Sequence, residues 1–246
     1  MLARMRTTKL GPLDVVIAGG PDREGGGDGP VVVLLHGFGA PGTDLVPLWR
    51  ALDVPREVRF VFPAAPLTLP AMGFGVESRA WWMIDMVALE RAIATGQERD
   101  MSTERPDGLL DARAQVLEML DALDAELSPR GLVLGGFSQG AMLSLDVALH
   151  TERALDGLVL MSGTLINEAE WAPRMKSRAG LRVLQSHGRR DPLLPFSMAE
   201  RLRALMTDAG LEVDFVPFGG AHEIPGGVLE GLQSAIRRAF PAAEGA

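Results

Sequence analysis

Apolar positions along this chain recur in two rhythms that take turns. Short, mostly apolar runs at residues 31–35, 58–62, 132–134, 158–161 and 181–185 have the character of strands buried on both faces of a parallel sheet, and 212–217 alternates as a further strand. Between them the period changes to that of a helix. Leu109, Ala112, Val116, Leu117, Leu120, Leu123 and Leu127 mark one face of the longest such stretch, whose other face is acidic, and Asp107 is placed to cap it. Further helices are predicted at 44–52, near 86–94, from Gln139 to about His150, from a capping box at Ser197 and Glu200 to a stop at Gly210, and at 226–238. A strand at 13–18 opens the pattern. Strands alternating with helices from Val31 onward predict an α/β fold with parallel pairing and right-handed crossovers. In such an open sheet the site collects at the carboxyl ends of the strands.

Four stretches break both rhythms. The glycine-rich run at 19–30 lacks the GK[ST] ending of a phosphate loop and the spacing of a dinucleotide fingerprint, so it reads as a flexible hairpin connection. Residues 63–75, rich in Pro, Ala and Gly, lead into Arg79-Ala-Trp-Trp-Met-Ile-Asp85 and read as loop or lid material. The polar residues 95–106 read as a mobile insertion, so that a lid-like insertion is expected near 88–107. Residues 168–178 read as a second loop region. Neither a repeat nor a linker divides the 246 residues, and a single domain is expected.

Composition narrows the functional classes. Apolar residues make up 47% and charged residues 23%, the balance of an ordinary globular chain. The net charge of -8 disfavours nucleic acid and anionic membranes, which need clustered Lys and Arg, and fits a small substrate better. With no cysteine there is no disulfide framework, thiol nucleophile or Cys-ligated metal. The first ten residues lack the apolar core of a signal peptide, and no run approaches a membrane span. The expectation is a soluble, cytoplasmic monomer or homodimer without stable membrane anchoring.

The chemistry centres on Leu134-Gly-Gly-Phe-Ser-Gln-Gly-Ala-Met142. A strand runs into GxSxG (Gly136 to Gly140) and a helix follows, the arrangement of a nucleophile elbow, in which the serine takes a strained conformation and flanking glycines make room. A Gly/Ser turn between a core strand and a core helix would use the same residues. A serine hydroxyl needs an imidazole as general base and a carboxylate to orient it, in the chain order Ser, acid, His. His222, in a glycine-rich loop after the last strand, meets that order with Asp191, in a sharp loop before proline. Asp146 and Asp156 belong to the wrong end of the sheet. His187 precedes the acid and reads as structural. His36 reads as a brace for the loop His36-Gly-Phe-Gly39 and remains the main competitor for the base. That loop is placed to offer the Phe38 N–H as an oxyanion donor beside the Gln139 N–H at a helix N-terminus. No metal or cofactor is called for. Phe38, Leu67, Trp81, Trp82, Met142 and Leu193 are the expected pocket wall, suggesting an apolar acyl group.

Six stretches in order carry a family resemblance: Leu35-His-Gly-Phe-Gly-Ala-Pro-Gly-Thr-Asp-Leu45, Phe62-Pro-Ala-Ala-Pro66, Arg79-Ala-Trp-Trp82, Gly136-Phe-Ser-Gln-Gly140, His187-Gly-Arg-Arg-Asp191 and Gly220-Ala-His222. Together they resemble the phospholipase/carboxylesterase family of α/β-hydrolases, which includes acyl-protein thioesterases and bacterial carboxylesterases. The resemblance implies a mostly parallel central sheet with helices on both faces, Ser138, Asp191 and His222 as triad, and the Phe38 and Gln139 amides as oxyanion hole. Two departures, Ala141 and the pair Leu193-Leu194, are expected near the acyl pocket, and 88–107 looks longer than the family's usual connection. The expected activity is a metal-independent serine hydrolase cleaving carboxylic esters of aryl or short-to-medium acyl type. Acyl thioesterase and lysophospholipase activity are variants of the same chemistry. A transacylase or peptidase and a non-catalytic binding module are the rival classes.

Overall fold

In the computed structural model, which describes residues 5–70, 77–96 and 98–242, an antiparallel pair comes first, β1 (Arg6–Leu10) with β2 (Leu13–Gly19). Next come β3 (Val31–Leu35), the single turn α1 (Leu48–Ala51), β4 (Arg59–Pro63), a small hairpin of β5 (Leu67–Leu69) and β6 (Ser78–Ala80), and α2 (Met86–Thr95). The rest alternates strictly: α3 (Leu109–Leu127), β7 (Leu132–Phe137), α4 (Gln139–Leu149), β8 (Gly157–Met161), α5 (Glu168–Met175), β9 (Arg182–Gly188), α6 (Phe196–Asp208), β10 (Glu212–Phe218) and α7 (Gly226–Ala239). Among the described residues eight strands form one sheet in the order β1-β2-β4-β3-β7-β8-β9-β10. All neighbours from β4 to β10 pair in parallel, and β2 alone runs against the rest, antiparallel to both β1 and β4.

The unbroken apolar strands follow from burial on both faces. Along β3, Val31, Val33 and Leu35 pack with the layer of α3, α4, α5 and α6, while Val32 and Leu34 pack with α1 and α7. Helix α4 is buried along its whole length, so its sequence shows no polar stripe. Its inner anchor is polar: the Trp171 Nε1–H of α5 donates to the buried Asp146 carboxylate at 2.8 Å.

Several sequence expectations change here. The β2–β3 connection is not a hairpin, because β4 lies between those strands, and it is not loose either. The buried Arg59 guanidinium donates to the carbonyls of Gly27, Gly29 and Leu127 and ties the glycine-rich run to the end of α3. The helix expected at 44–52 shrinks to α1, because Pro47 offers no N–H and residues 43–48 close in i→i+3 turns instead. Asp107 does not cap α3. The cap position is Gly108, left-handed at φ 89° beside Trp82. Helix α6 starts two residues early, at Phe196 with Pro195 at the cap position, so Ser197 is already inside it and its hydroxyl bonds Glu98 at 3.0 Å rather than capping. The 168–178 loop contains α5, a helix despite Pro173 because Trp171 and Met175 are fully buried. In the expected mobile insertion, the Ser102 and Glu104 carbonyls accept from the N–H groups of Glu168 and Asn167 at 2.8 and 2.9 Å. Part of the 63–75 stretch lies outside the described residues, and the rest holds β5. No described helix is long and apolar enough to cross a membrane.

Candidate active site

Ser138 links the end of β7 to the start of α4 at φ 55° and ψ −118°, a region that costs an ordinary residue about 1–3 kcal/mol. Close packing holds it there. The Ser138 N–H donates to the Met161 carbonyl at 2.8 Å, and α4 is driven hard against the end of β3. A Cβ on Gly140 would lie 2.0 Å from the Leu35 oxygen and 2.6 Å from that of His36; one on Gly136 would lie 2.4 Å from the Leu35 oxygen. Both glycines of the motif are therefore demanded by the approach of helix to strand. Gly140→Ala is expected to destabilise the fold by about 3 kcal/mol or more, read as a lowered urea midpoint. A midpoint unchanged from wild type would mean that α4 does not approach β3 this closely.

The loop after β3 is braced from behind. His36 is buried, its Nε2 accepts the Ala65 N–H at 3.0 Å, and its Nδ1–H therefore donates to the Gly37 carbonyl at 2.7 Å. Burial holds its pKa down, which keeps it neutral, although the Gly37 hydrogen bond and the Asp44 charge act the other way. Both nitrogens being engaged inside the fold, His36 is a brace and not the base. The Gly39 N–H donates to the Arg79 carbonyl and the Arg79 N–H to that of Ala40, at 2.8 and 2.9 Å, so β6 clamps the same loop. Phe38 lies within it on the wall of the cleft. Gln139 is the first residue of α4, where the backbone N–H has no intrahelical acceptor. The Gln139 side chain secures the tryptophans, accepting from the Trp81 N–H and donating to the Trp82 carbonyl, both at 2.9 Å.

Asp191 and His222 meet from separate loops. The His222 Nδ1–H donates to Asp191 Oδ2 at 2.6 Å, while Oδ1 accepts the Leu193 and Leu194 N–H groups at 2.9 and 3.0 Å. Burial would raise the Asp191 pKa, but the His222 hydrogen bond and charge with the two amides outweigh it and hold it below the ordinary aspartate value. The His222 ring rests against Phe137, centroids 4.8 Å apart. His187 is buried, and its Nε2–H donates to the Leu194 carbonyl at 2.9 Å, steadying the acid loop; burial keeps it neutral.

A cleft of about 420 Å³ collects Ser138, Gln139, Phe38 and His222, with Trp82, Met142 and Leu193 on its wall. Asp191 stands behind His222. Two expected wall residues are elsewhere. Leu67 is exposed on the outer β5–β6 hairpin, and Trp81 turns inward, buried, with its Nε1–H on the His36 carbonyl at 3.0 Å. The chain bends at both tryptophans just after β6, and it is Trp82, not Trp81, that meets the cleft. Ala141 is also absent from the wall, packed against Gly163 in the core. Leu194 joins Leu193 on the wall, as expected of that pair; missed were Asp44, Ile84, Met86, Leu89, Arg99 and Met101. The i, i+3 spacing of Met86 and Leu89 on one face of α2 was the available signal.

A serine at a strained strand-to-helix turn, over the carboxyl ends of a mostly parallel sheet and sharing its cleft with a carboxylate-paired histidine, defines an α/β-hydrolase. The phospholipase/carboxylesterase family model matches residues 24–239, and the chain belongs to that family, whose chemistry is the hydrolysis of carboxylic esters. The chain is 26% identical over 226 residues to acyl-protein thioesterase 1 of Emericella nidulans, covering 87% of this chain and 92% of that one. It is 28% identical over 218 residues to a protein named probable carboxylesterase in Oryza sativa subsp. japonica, covering 87% and 79% respectively. The crystal structure of the Bacillus cereus carboxylesterase superposes with a TM-score of 0.66 at 22% identity, over 93% of this chain and 95% of that one. That likeness is one of fold.

Proposed function

We propose that the cleft hydrolyses carboxylic esters through an acyl-enzyme on Ser138. The His222–Asp191 hydrogen bond of 2.6 Å, in the cleft that holds the strained serine, carries this reading. Ser138 Oγ attacks the carbonyl carbon as His222 takes its proton. Asp191 fixes the imidazole with Nδ1 protonated and stabilises the imidazolium. The Phe38 and Gln139 N–H groups receive the developing oxyanion, aided by the N-terminus of α4. His222 then gives the proton to the leaving alcohol, and water repeats the attack to free the acid.

An apolar wall of Trp82, Ile84, Leu89, Met101, Met142 and Leu193 in about 420 Å³ suits aryl or short-to-medium acyl esters. Most of helix α2, with Leu89, and Met101 come from the 88–107 segment, which we assign as a cover for the cleft. A thioester substrate is the second reading, favoured by the acyl-protein thioesterase among the relatives. A cytoplasmic enzyme, monomeric or a homodimer, fits a chain without cysteine.

Turnover of p-nitrophenyl esters from acetate to laurate, with labelling by an active-site phosphonate, tests the reading. The expected profile peaks at short-to-medium chains, and the label is taken stoichiometrically. A wild-type protein that neither turns over an ester nor takes the label overturns it.

A further inference from the structure

Arg99 is the anomaly of the cleft. The wall is otherwise largely apolar, yet this half-buried guanidinium lines it. It donates to no described residue and pairs with none, although acidic residues flank it in sequence. Glu98 is turned to the Ser197 hydroxyl at 3.0 Å, and Asp100 accepts the Ser102 N–H at 2.8 Å and lies 3.7 Å from Arg201. A guanidinium brings five donors in a planar fork, suited to a carboxylate or phosphate. Leaving it partly out of water without such a partner is costly in a fold.

The surroundings say where a partner would sit. A second cavity of about 260 Å³ adjoins the cleft and shares Arg99 and Leu193 with it. Arg189 stands on its wall, stacked over the Phe196 ring at 4.7 Å. Both guanidiniums thus border one hollow beyond the acid loop. On the oxyanion-loop side of the cleft the charged residue is Asp44. Glu98 and Asp191 line the second cavity as well, but their carboxylates are already engaged, Glu98 by the Ser197 hydroxyl and Asp191 by His222, Leu193 and Leu194.

Resting on the reading of the cleft as an ester-cleaving site, we propose that it selects esters carrying an anionic oxygen group several bonds from the scissile carbonyl, held by Arg99 where the cleft meets the second cavity. The apolar wall takes the intervening chain. The hydrolytic step is unchanged, with water adding across the acyl bond and the anionic group neither gained nor lost.

Two matched pairs of esters separate the sources of the anion. Monomethyl suberate against methyl octanoate places a carboxylate on the acyl side; 2-phosphoethyl octanoate against 2-hydroxyethyl octanoate places a phosphate on the alcohol side. In at least one pair the wild-type kcat/KM of the anionic ester is expected to equal or exceed that of its neutral partner. Arg99→Gln should lower the anionic-to-neutral ratio about 10- to 100-fold, the scale of a charge-assisted hydrogen bond, with part retained in Arg99→Lys and more lost in Arg99→Glu. The wild-type preference should also weaken with added salt. Ratios within about twofold of wild type in all three variants overturn the proposal, as does a wild type that cleaves only the neutral esters. Absence of turnover on all four esters, with no phosphonate label, is instead the failure of the ester-cleaving reading and removes this proposal with it.

Discussion

Ser138→Ala is expected to lower kcat on a p-nitrophenyl ester by about 10⁴- to 10⁶-fold, to abolish phosphonate labelling and to leave KM little changed. The size follows from the geometry. Ser138 is held at φ 55° by the demand for glycine at 136 and 140, so no neighbouring hydroxyl can take its place at the N-terminus of α4. The mutant keeps the oxyanion donors and the cleft, and so keeps binding; the residual rate is what those alone supply. The smaller side chain also relieves no clash at the elbow, so the urea midpoint should stay near that of wild type. A variant retaining more than about a tenth of the wild-type rate would place the nucleophile elsewhere.

Asp191→Asn is expected to lower kcat by about 10⁴-fold while leaving the acid loop in place. Asn keeps an oxygen for the Leu193 and Leu194 N–H groups, but its amide cannot hold His222 with Nδ1 protonated and stabilise the imidazolium as a carboxylate does. The substitution also has a signature in stability. The folded-state pKa of Asp191 is depressed, so its contribution is fully present above the unfolded aspartate value near 4 and is lost as pH falls through the lower folded value. Wild type is therefore expected to be the more stable at pH 7, with the two proteins converging below about pH 4. Urea midpoints at pH 7, 5 and 3 measure this. A constant gap across that range would show that the carboxylate charge is not what the loop uses.

Much of this was legible in the chain because it is local. The strand-turn-helix around Ser138 is encoded by contiguous residues, and the order Ser, acid, His is a constraint on connectivity. Rejecting Asp146 and Asp156 needed only their place relative to the strands. The structure agrees in both cases, with Asp146 under Trp171 and Asp156 accepting the Leu132 N–H at the opposite end of β7. The strand β1 and the hairpin of β5 and β6 were not read, because their short segments are strands only through their partners. The same is true of α5, where burial of Trp171 and Met175 overrides Pro173.

The sequence by itself determined the alternation that makes a mostly parallel sheet, the elbow with its two required glycines, and the set of groups that can act as nucleophile, base and acid. Each depends on residue type and on order along the chain, which a linear string carries in full. Only the tertiary structure decided that Trp82 and not Trp81 faces the cleft, that Leu67 is outside it, that His36 is spent on Ala65 and Gly37, and that Arg99 stands on an apolar wall with no partner among the described residues. Those are facts about which face of an element meets which neighbour, and contacts between residues far apart in sequence settle them.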